Sequence, residues 1–157
     1  MAIAGLNHAV LYVRDAERTA DFFVDVLGFQ RVSEHQTPGA VFLRAGGSTN
    51  DHDLGLFSIG EQAGASTAGR TTVGTYHLAW EVDTLTDLAA LATKLRDANA
   101  LVGATNHGTT RSLYAKDPDG LEFELVWIVP ADQLTAADTL IPSFVGFPLE
   151  TIEKLFL

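Results

Sequence analysis

Two histidines and one glutamate, His8, His77 and Glu124, have the side-chain types for metal chemistry, and strand parity gives all three the same kind of placement. In residues 6–13, Ala9, Leu11 and Val13 share one face and His8, Val10 and Tyr12 the other. In the run from 76, Leu78, Trp80 and Val82 lie opposite His77, Ala79 and Glu81. In "LEFELVWI", Leu121, Phe123, Leu125 and Trp127 make the apolar face, and Glu124 shares the other with Glu122, Val126 and Ile128. A carboxylate buried in such a strand costs several kcal/mol unless a cation or strong hydrogen bonds compensate it. Two imidazoles and one carboxylate are the ligand types of the 2-His-1-carboxylate facial triad. Taken singly, each histidine reads more readily as a hydrogen-bonded structural residue, and Glu124 as a solvated one. Their joint placement favours ligation. With no cysteine in the chain, thiolate nucleophiles, disulfides and iron–sulfur clusters are excluded, so a metal must be held by nitrogen and oxygen.

The elements that must position these residues come as a repeat. A shift of 69 lays "NHAVLYVRDAERTADFFVDVLGF" over "YHLAWEVDTLTDLAALATKLRDANA", placing His8 on His77 and, further on, Gly55 on Glu124. Each half reads strand, helix, strands. In the first, Asp15 is a helix cap, Phe22, Phe23, Val26 and Leu27 form the apolar side, and Gly28 ends the helix. In the second, Thr84 and Asp87 have capping-box spacing, Leu88, Leu91, Ala92 and Leu95 form the stripe, and Asn99 stands near the stop. "DPDG" at 117–120 joins a strand near 111–116 to one at 121–128, which gives Asp117 and Asp119 a turn role. The pattern predicts one domain over 1–157: module 1 over about 5–60, a small, polar linker over about 60–75, module 2 over about 76–130, and a tail at 131–157. In that tail Leu149, Ile152, Leu155 and Phe156 have the spacing of a short amphipathic helix. His35 reads as a surface histidine.

Composition narrows the partners. At 157 residues with 46% hydrophobic content, the chain can bury one proper core. A formal net charge of −10, from 10 basic and 20 acidic residues, argues against tracking along nucleic acid. No 18-residue apolar run and no signal-like start is present, so the expectation is a soluble cytoplasmic protein without a membrane partner.

"LNHAVLYVRDAERTADFFVDVLGF", "YHLAWEV" and "YAKDPDGLEFEL" resemble the vicinal oxygen chelate superfamily, which contains glyoxalase I, bleomycin-resistance proteins and type I extradiol dioxygenases. The resemblance covers residues 5 to about 130. It implies an α+β fold of two tandem βαβββ modules, their mixed sheets forming a cup around a divalent metal with the helices outside. The metal positions of that family fall on His8, His77 and Glu124. Glyoxalase I-like members supply a fourth ligand from a position that falls here on Gly55, which has no side chain to offer. Three protein ligands leave room for the two oxygens of a catechol and for dioxygen, which makes the extradiol members the nearest in kind. By the same resemblance His52, in "HDLGLF", takes the place of an acid/base histidine. His107 and Tyr114, in "NHGTTRSLYAKDPDG", take the places of a substrate-holding histidine and a hydrogen-bonding tyrosine.

What the resemblance then implies is an extradiol-type dioxygenase using iron(II), with manganese(II), nickel(II) or zinc(II) as alternatives, acting on an aromatic diol as a homodimer. Two other readings stand beside it: a glyoxalase- or epimerase-like lyase or isomerase, and a small-molecule binding protein of the antibiotic-resistance type. The interval from His107 to Tyr114 is shorter, and the loop from His52 to His77 longer, than the ring-cleaving pattern. Parity sets His52 and Gly55 on opposite faces unless a bulge or a strand start intervenes.

Overall fold

The computed structural model describes residues 2–33, 37–69, 71–140, 145–147, 153 and 155–156. Contacts divide the chain into two units, Met1–Ala65 and Ser66–Leu157, and the division falls inside the small, polar stretch 60–75.

Unit 1 contains β1 (Ala9–Val13), α1 (Ala16–Leu27), β2 (Gln30–Arg31), β3 (Ala40–Arg44) and β4 (Leu54–Ser58). Its sheet runs β1-β4-β3-β2, with β1 parallel to β4 and the other pairs antiparallel. The chain turns into α1 at Asp15, whose carboxylate accepts from the amides of Glu17 and Arg18 at 2.9 and 3.2 Å. Such a cap contributes about 1 kcal/mol by satisfying amides that have no carbonyl partner in the first turn. Gly28 ends the helix at φ 79°, a left-handed conformation that costs glycine little. The residues α1 buries are Ala16, Thr19, Ala20 and Phe23, one turn earlier than the aromatic-rich side expected from the sequence. Phe22, Val26 and Leu27 are only half-buried. Small side chains let the helix start lie close on β3 and β4, where Leu43, Leu54 and Leu56 are fully buried.

Unit 2 repeats the order with β5 (Leu78–Glu81), α2 (Leu85–Asp97), β6 (Leu101–Asn106), β7 (Thr110–Lys116) and β8 (Glu122–Ile128). Its sheet runs β5-β8-β7-β6-β9, where β9 (Val145–Phe147) follows a short α3 (Ala136–Leu140). The Thr84 hydroxyl accepts from the Asp87 amide at 3.0 Å, the first half of the capping box its spacing predicted, and donates to the Asp87 carboxylate at 2.6 Å, so that carboxylate meets the hydroxyl of Thr84. Leu88, Ala92 and Leu95 are buried and Leu91 half-buried. Asn99 leaves the helix at φ 53°. At the β7–β8 turn the Asp117 carboxylate accepts from the amides of Asp119 and Leu121, and burial pushes its pKa up against those bonds. Both aspartates hold the turn role expected of them.

Each unit is therefore a βαβββ module in an α+β fold, with its first strand parallel to its last. The repeat holds at the level of pairing: a shift of 69 carries the Val10–Gly55 pair onto Ala79–Glu124. The tail departs from expectation, since α3 and β9 form where no pattern was read, β9 adding to the edge of the sheet beside β6. The amphipathic helix expected near 149–156 lies outside the described residues except for Glu153, Leu155 and Phe156. His35 lies outside them as well.

Candidate metal centre

In unit 1, β1 and β4 present opposite faces by alternation. Leu11, Val13, Leu54 and Leu56 turn toward α1, leaving His8, Val10 and Tyr12 exposed on the far side. His8 stands one residue before β1, where the Ala9 amide donates to the Asp53 carbonyl at 2.9 Å. Its Nδ1 lies 2.8 Å from the Asn7 side-chain oxygen. An amide oxygen only accepts, so Nδ1 is the donor in this contact, and Nε2 is the nitrogen through which a neutral ring would bind a metal. Asn7 is itself tied down, its carbonyl accepting from Asn50 Nδ2 at 2.9 Å. Asn50 also reaches the buried Asp53 carboxylate, which accepts in addition from Ser48 Oγ and the Ala45 amide. Asp53 thus fastens the β3–β4 turn to the segment carrying His8. None of these four polar residues was singled out from the sequence. Adjacency marked only Asn7, and nothing marked the long-range bond from Asn50.

His52 lies two residues before β4, and this strand start resolves the parity conflict. Its ring packs on His8 with centroids 4.5 Å apart and meets Phe42 edge-on at 5.0 Å. Asp51 Oδ2 stands 3.1 Å from its Nδ1 and orients the ring. At Gly55, an added Cβ would meet the Phe42 ring at 3.4 and 3.5 Å and Val10 at 3.5 Å. An aromatic edge and a branched aliphatic group therefore border the position.

In unit 2 the β8 register places Phe123, Leu125 and Trp127 in the core and Glu124 on the opposite face, as alternation requires. Glu124 Oε2 lies 3.0 Å from His77 Nε2, the two side chains being 13% and 22% exposed. Tyr114, directly across from Glu124 on β7, donates its hydroxyl to Glu124 Oε1 at 3.4 Å. His107 Nε2 stands 3.1 Å from the same hydroxyl. Unit 2 thus links His77, Glu124, Tyr114 and His107 in a continuous chain of polar contacts. Burial, followed by the Glu124 charge, pushes the Tyr114 hydroxyl up to about 12, so it is a neutral donor at any working pH.

A divalent ion fits the unit 2 donors. Two adjacent ligands on an octahedral ion at about 2.1 Å stand about 3 Å apart, the separation observed between His77 Nε2 and Glu124 Oε2. His77 Nδ1 is buried without a hydrogen-bond partner among the described residues. Within neither unit do three His, Cys, Asp or Glu side chains among the described residues gather at one point. His77, Glu124, Tyr114 and His107 come together in unit 2, and His8 and His52 come together in unit 1.

The sequence profile of the glyoxalase/bleomycin resistance protein/dioxygenase superfamily matches residues 5–125. The chain belongs to that superfamily. Among curated relatives it is 35% identical over 123 residues to biphenyl-2,3-diol 1,2-dioxygenase 3 of Rhodococcus globerulus, covering 76% of this chain and 61% of the relative. It is 26% identical over 126 residues to a probable lactoylglutathione lyase of Synechocystis sp., covering 77% and 93%. A solved superfamily domain from Frankia sp. EAN1pec superposes with TM-score 0.64 at 20% identity, covering 83% of this chain and 96% of that one, a likeness of fold. The chain therefore spans about three fifths of the dioxygenase relative and nearly all of the lyase relative. Superfamily members of these names are enzymes. Among the described residues no helix is long and apolar enough to cross a membrane.

Proposed function

We propose that this superfamily member is a metal-dependent extradiol-type dioxygenase that opens a catechol-like aromatic diol with dioxygen. The observation that carries the reading is Gly55. It occupies in unit 1 the register position that Glu124 occupies in unit 2, so the proposed ligand set stops at His8, His77 and Glu124. The name of the Rhodococcus relative points the same way.

An ion held by those three side chains, iron(II) in first place, would supply Lewis acidity toward the diol oxygens and a path for electrons to dioxygen. The rest is the work of the chain's own groups. The Glu124 carboxylate lowers the net charge at the site and accepts the Tyr114 hydroxyl, which keeps Oε2 directed toward His77. Tyr114, kept neutral by burial and the Glu124 charge, can swing its one hydroxyl proton from Glu124 to charge that develops on a substrate oxygen. His107, through Nε2, holds that hydroxyl in place beside the proposed substrate. His52, oriented by Asp51, takes a proton from the diol at Nε2 and returns it during cleavage. Phe42 and Val10 border Gly55 with the apolar contact an aromatic ring favours.

Purification under anaerobic conditions with one iron per chain, followed by catechol-dependent oxygen uptake, is the expected result. Retained uptake in His77→Ala would sink the ligand assignment. The lyase or isomerase reading is favoured by one observation, the near-complete span of the lactoylglutathione lyase relative. Turnover of a hemithioacetal without oxygen consumption would establish it. Homodimer formation belongs to the same proposal, and light scattering at known concentration tests it.

A further inference from the structure

The turn between β6 and β7 carries His107, and its shape is held by a small set of bonds. Asn106 Oδ1 accepts from the Gly108 amide at 2.8 Å, and the His107 amide donates to the Thr110 carbonyl at 3.0 Å. Gly108 sits at φ 82°, a conformation that favours glycine. Arg111 then closes the turn from outside, donating through Nη1 to Asn106 Oδ1 and to the Gly108 carbonyl, both at 2.7 Å. Its other terminal nitrogen, Nη2, donates to Asp138 Oδ1 at 3.0 Å. The two side chains of this pair are 15% and 14% exposed. A guanidinium is planar and rigid, so fixing Nη2 fixes the direction of Nη1. Asp138 is fixed in turn, because its Oδ2 accepts from the Thr135 amide at 2.9 Å and the Thr135 hydroxyl at 2.7 Å.

We propose that Asp138, which lies beyond the superfamily match, is a positioning residue for His107. It holds Arg111, and Arg111 holds the 106–110 turn from which His107 reaches the Tyr114 hydroxyl. The tail supports the same end of the sheet a second time, since β9 pairs with β6 up to Asn106. A segment beyond the superfamily match thereby sets the geometry of a group in the candidate site. The functional consequence rests on the reading of His107 as a site residue; the geometric one does not.

The test uses the full chain, labelled with nitrogen-15 and without added metal. Asp138→Asn keeps the side-chain shape and removes the charge. Its expected effect is a shift of the His107 ring nitrogen signals and about tenfold faster exchange of the His107 amide, as a charge-assisted bond is weakened. Exchange in β5 and β8 stays unchanged. Arg111→Lys keeps a charge but loses the fork, and it gives the same local pattern. With metal and a catechol, kcat falls while KM holds. Wild-type His107 signals and exchange in both variants would overturn the proposal, and so would faster exchange spread over β5–β8, which marks a general stabiliser. Displaced His107 signals with unchanged oxygen uptake would sustain the positioning and remove His107 from the catalytic reading.

Discussion

At the row where unit 1 aligns Val10, Gly55 and Phe42, unit 2 aligns Ala79, Glu124 and Tyr114. The backbone pairing is the same, and the side chains invert its character: apolar with a vacancy in one unit, a carboxylate under a phenol in the other. The histidines differ in the same sense. His8 faces a neutral amide oxygen on Asn7, whereas His77 faces the Glu124 carboxylate. Alternation and helix caps suffice to specify the module twice, and single residues at matched register decide what each copy can hold. The duplicated βαβββ module thereby carries different side chains at matched register.

The largest effect should come from removing the carboxylate that only unit 2 possesses. Glu124→Gln keeps the shape of the side chain and loses its charge. Loss of a supporting residue costs about 10–100-fold in metal affinity, so loss of a proposed ligand should exceed that. Metal analysis after dialysis is expected to fall from about one ion per chain to near none. A Glu124→Gln protein that keeps its ion would show that the asymmetry at this row has nothing to do with metal.

The converse change gives unit 1 what unit 2 has. Gly55→Glu would add a side chain whose Cβ meets the Phe42 ring and Val10 at ordinary contact distance, and thermal melting checks that the folded strand accepts the rest of it. On the proposed reading the new carboxylate takes a position that substrate needs. Catechol-dependent oxygen uptake should fall by more than about 100-fold while the metal stays bound, since the two reactants are no longer held together. Gly55→Ala, by contrast, adds only a Cβ at ordinary contact distance and should keep its activity. Unimpaired uptake in Gly55→Glu would mean the vacancy is not the feature that separates the units.

Much of this contrast was legible in the amino-acid sequence. The shift of 69, the caps at Asp15 and Thr84, and the faces of His8, His77 and Glu124 all follow from local periodicity, which a chain declares residue by residue. The close approach of His77 to Glu124 needed only two matched strands. Other features depend on pairs distant in sequence. Nothing in "STNDHD" announces that Asn50 reaches back to Asn7 or that Asp53 gathers three donors. The buried stripe of α1 was misjudged toward its aromatic residues because sheet approach is set by the small Ala16 and Ala20, whose burial no periodicity ranks above that of phenylalanine. The β9 strand was missed because three residues, "VGF", carry too little pattern, and only the free edge of β6 makes them a strand.

Tyr114→Phe should have a smaller effect than either change at the row's centre. It removes the hydroxyl that joins His107 to Glu124 and leaves the ring in place. Loss of a donor to developing charge costs about 100-fold in kcat, and loss of a half-buried hydrogen bond about 1 kcal/mol of stability. Stopped-flow turnover together with thermal melting separates the two. A full loss of metal in this variant would assign Tyr114 to ligand support instead.

The smallest expected effect lies in the part of unit 2 that has no counterpart in unit 1, the α3–β9 tail. Asp138 has its pKa held down to about 2, first by the Thr135 hydroxyl, then by the Thr135 amide and Arg111. Because the folded value lies below the ordinary 3.8, the ionised carboxylate favours the folded tail, and that contribution is fully present above pH 3.8. As pH falls from there through about 2, it is progressively lost, because the native carboxyl then takes up its proton too. Carbon-13 titration of the Asp138 carboxyl is expected to give a midpoint near 2, moved upward in Thr135→Ala and to a lesser degree in Arg111→Lys. A native midpoint at the ordinary aspartate value would mean that Thr135 and Arg111 do not hold the carboxylate in solution. The tail would then be a strand added to an edge, with no electrostatic hold on the turn that carries His107.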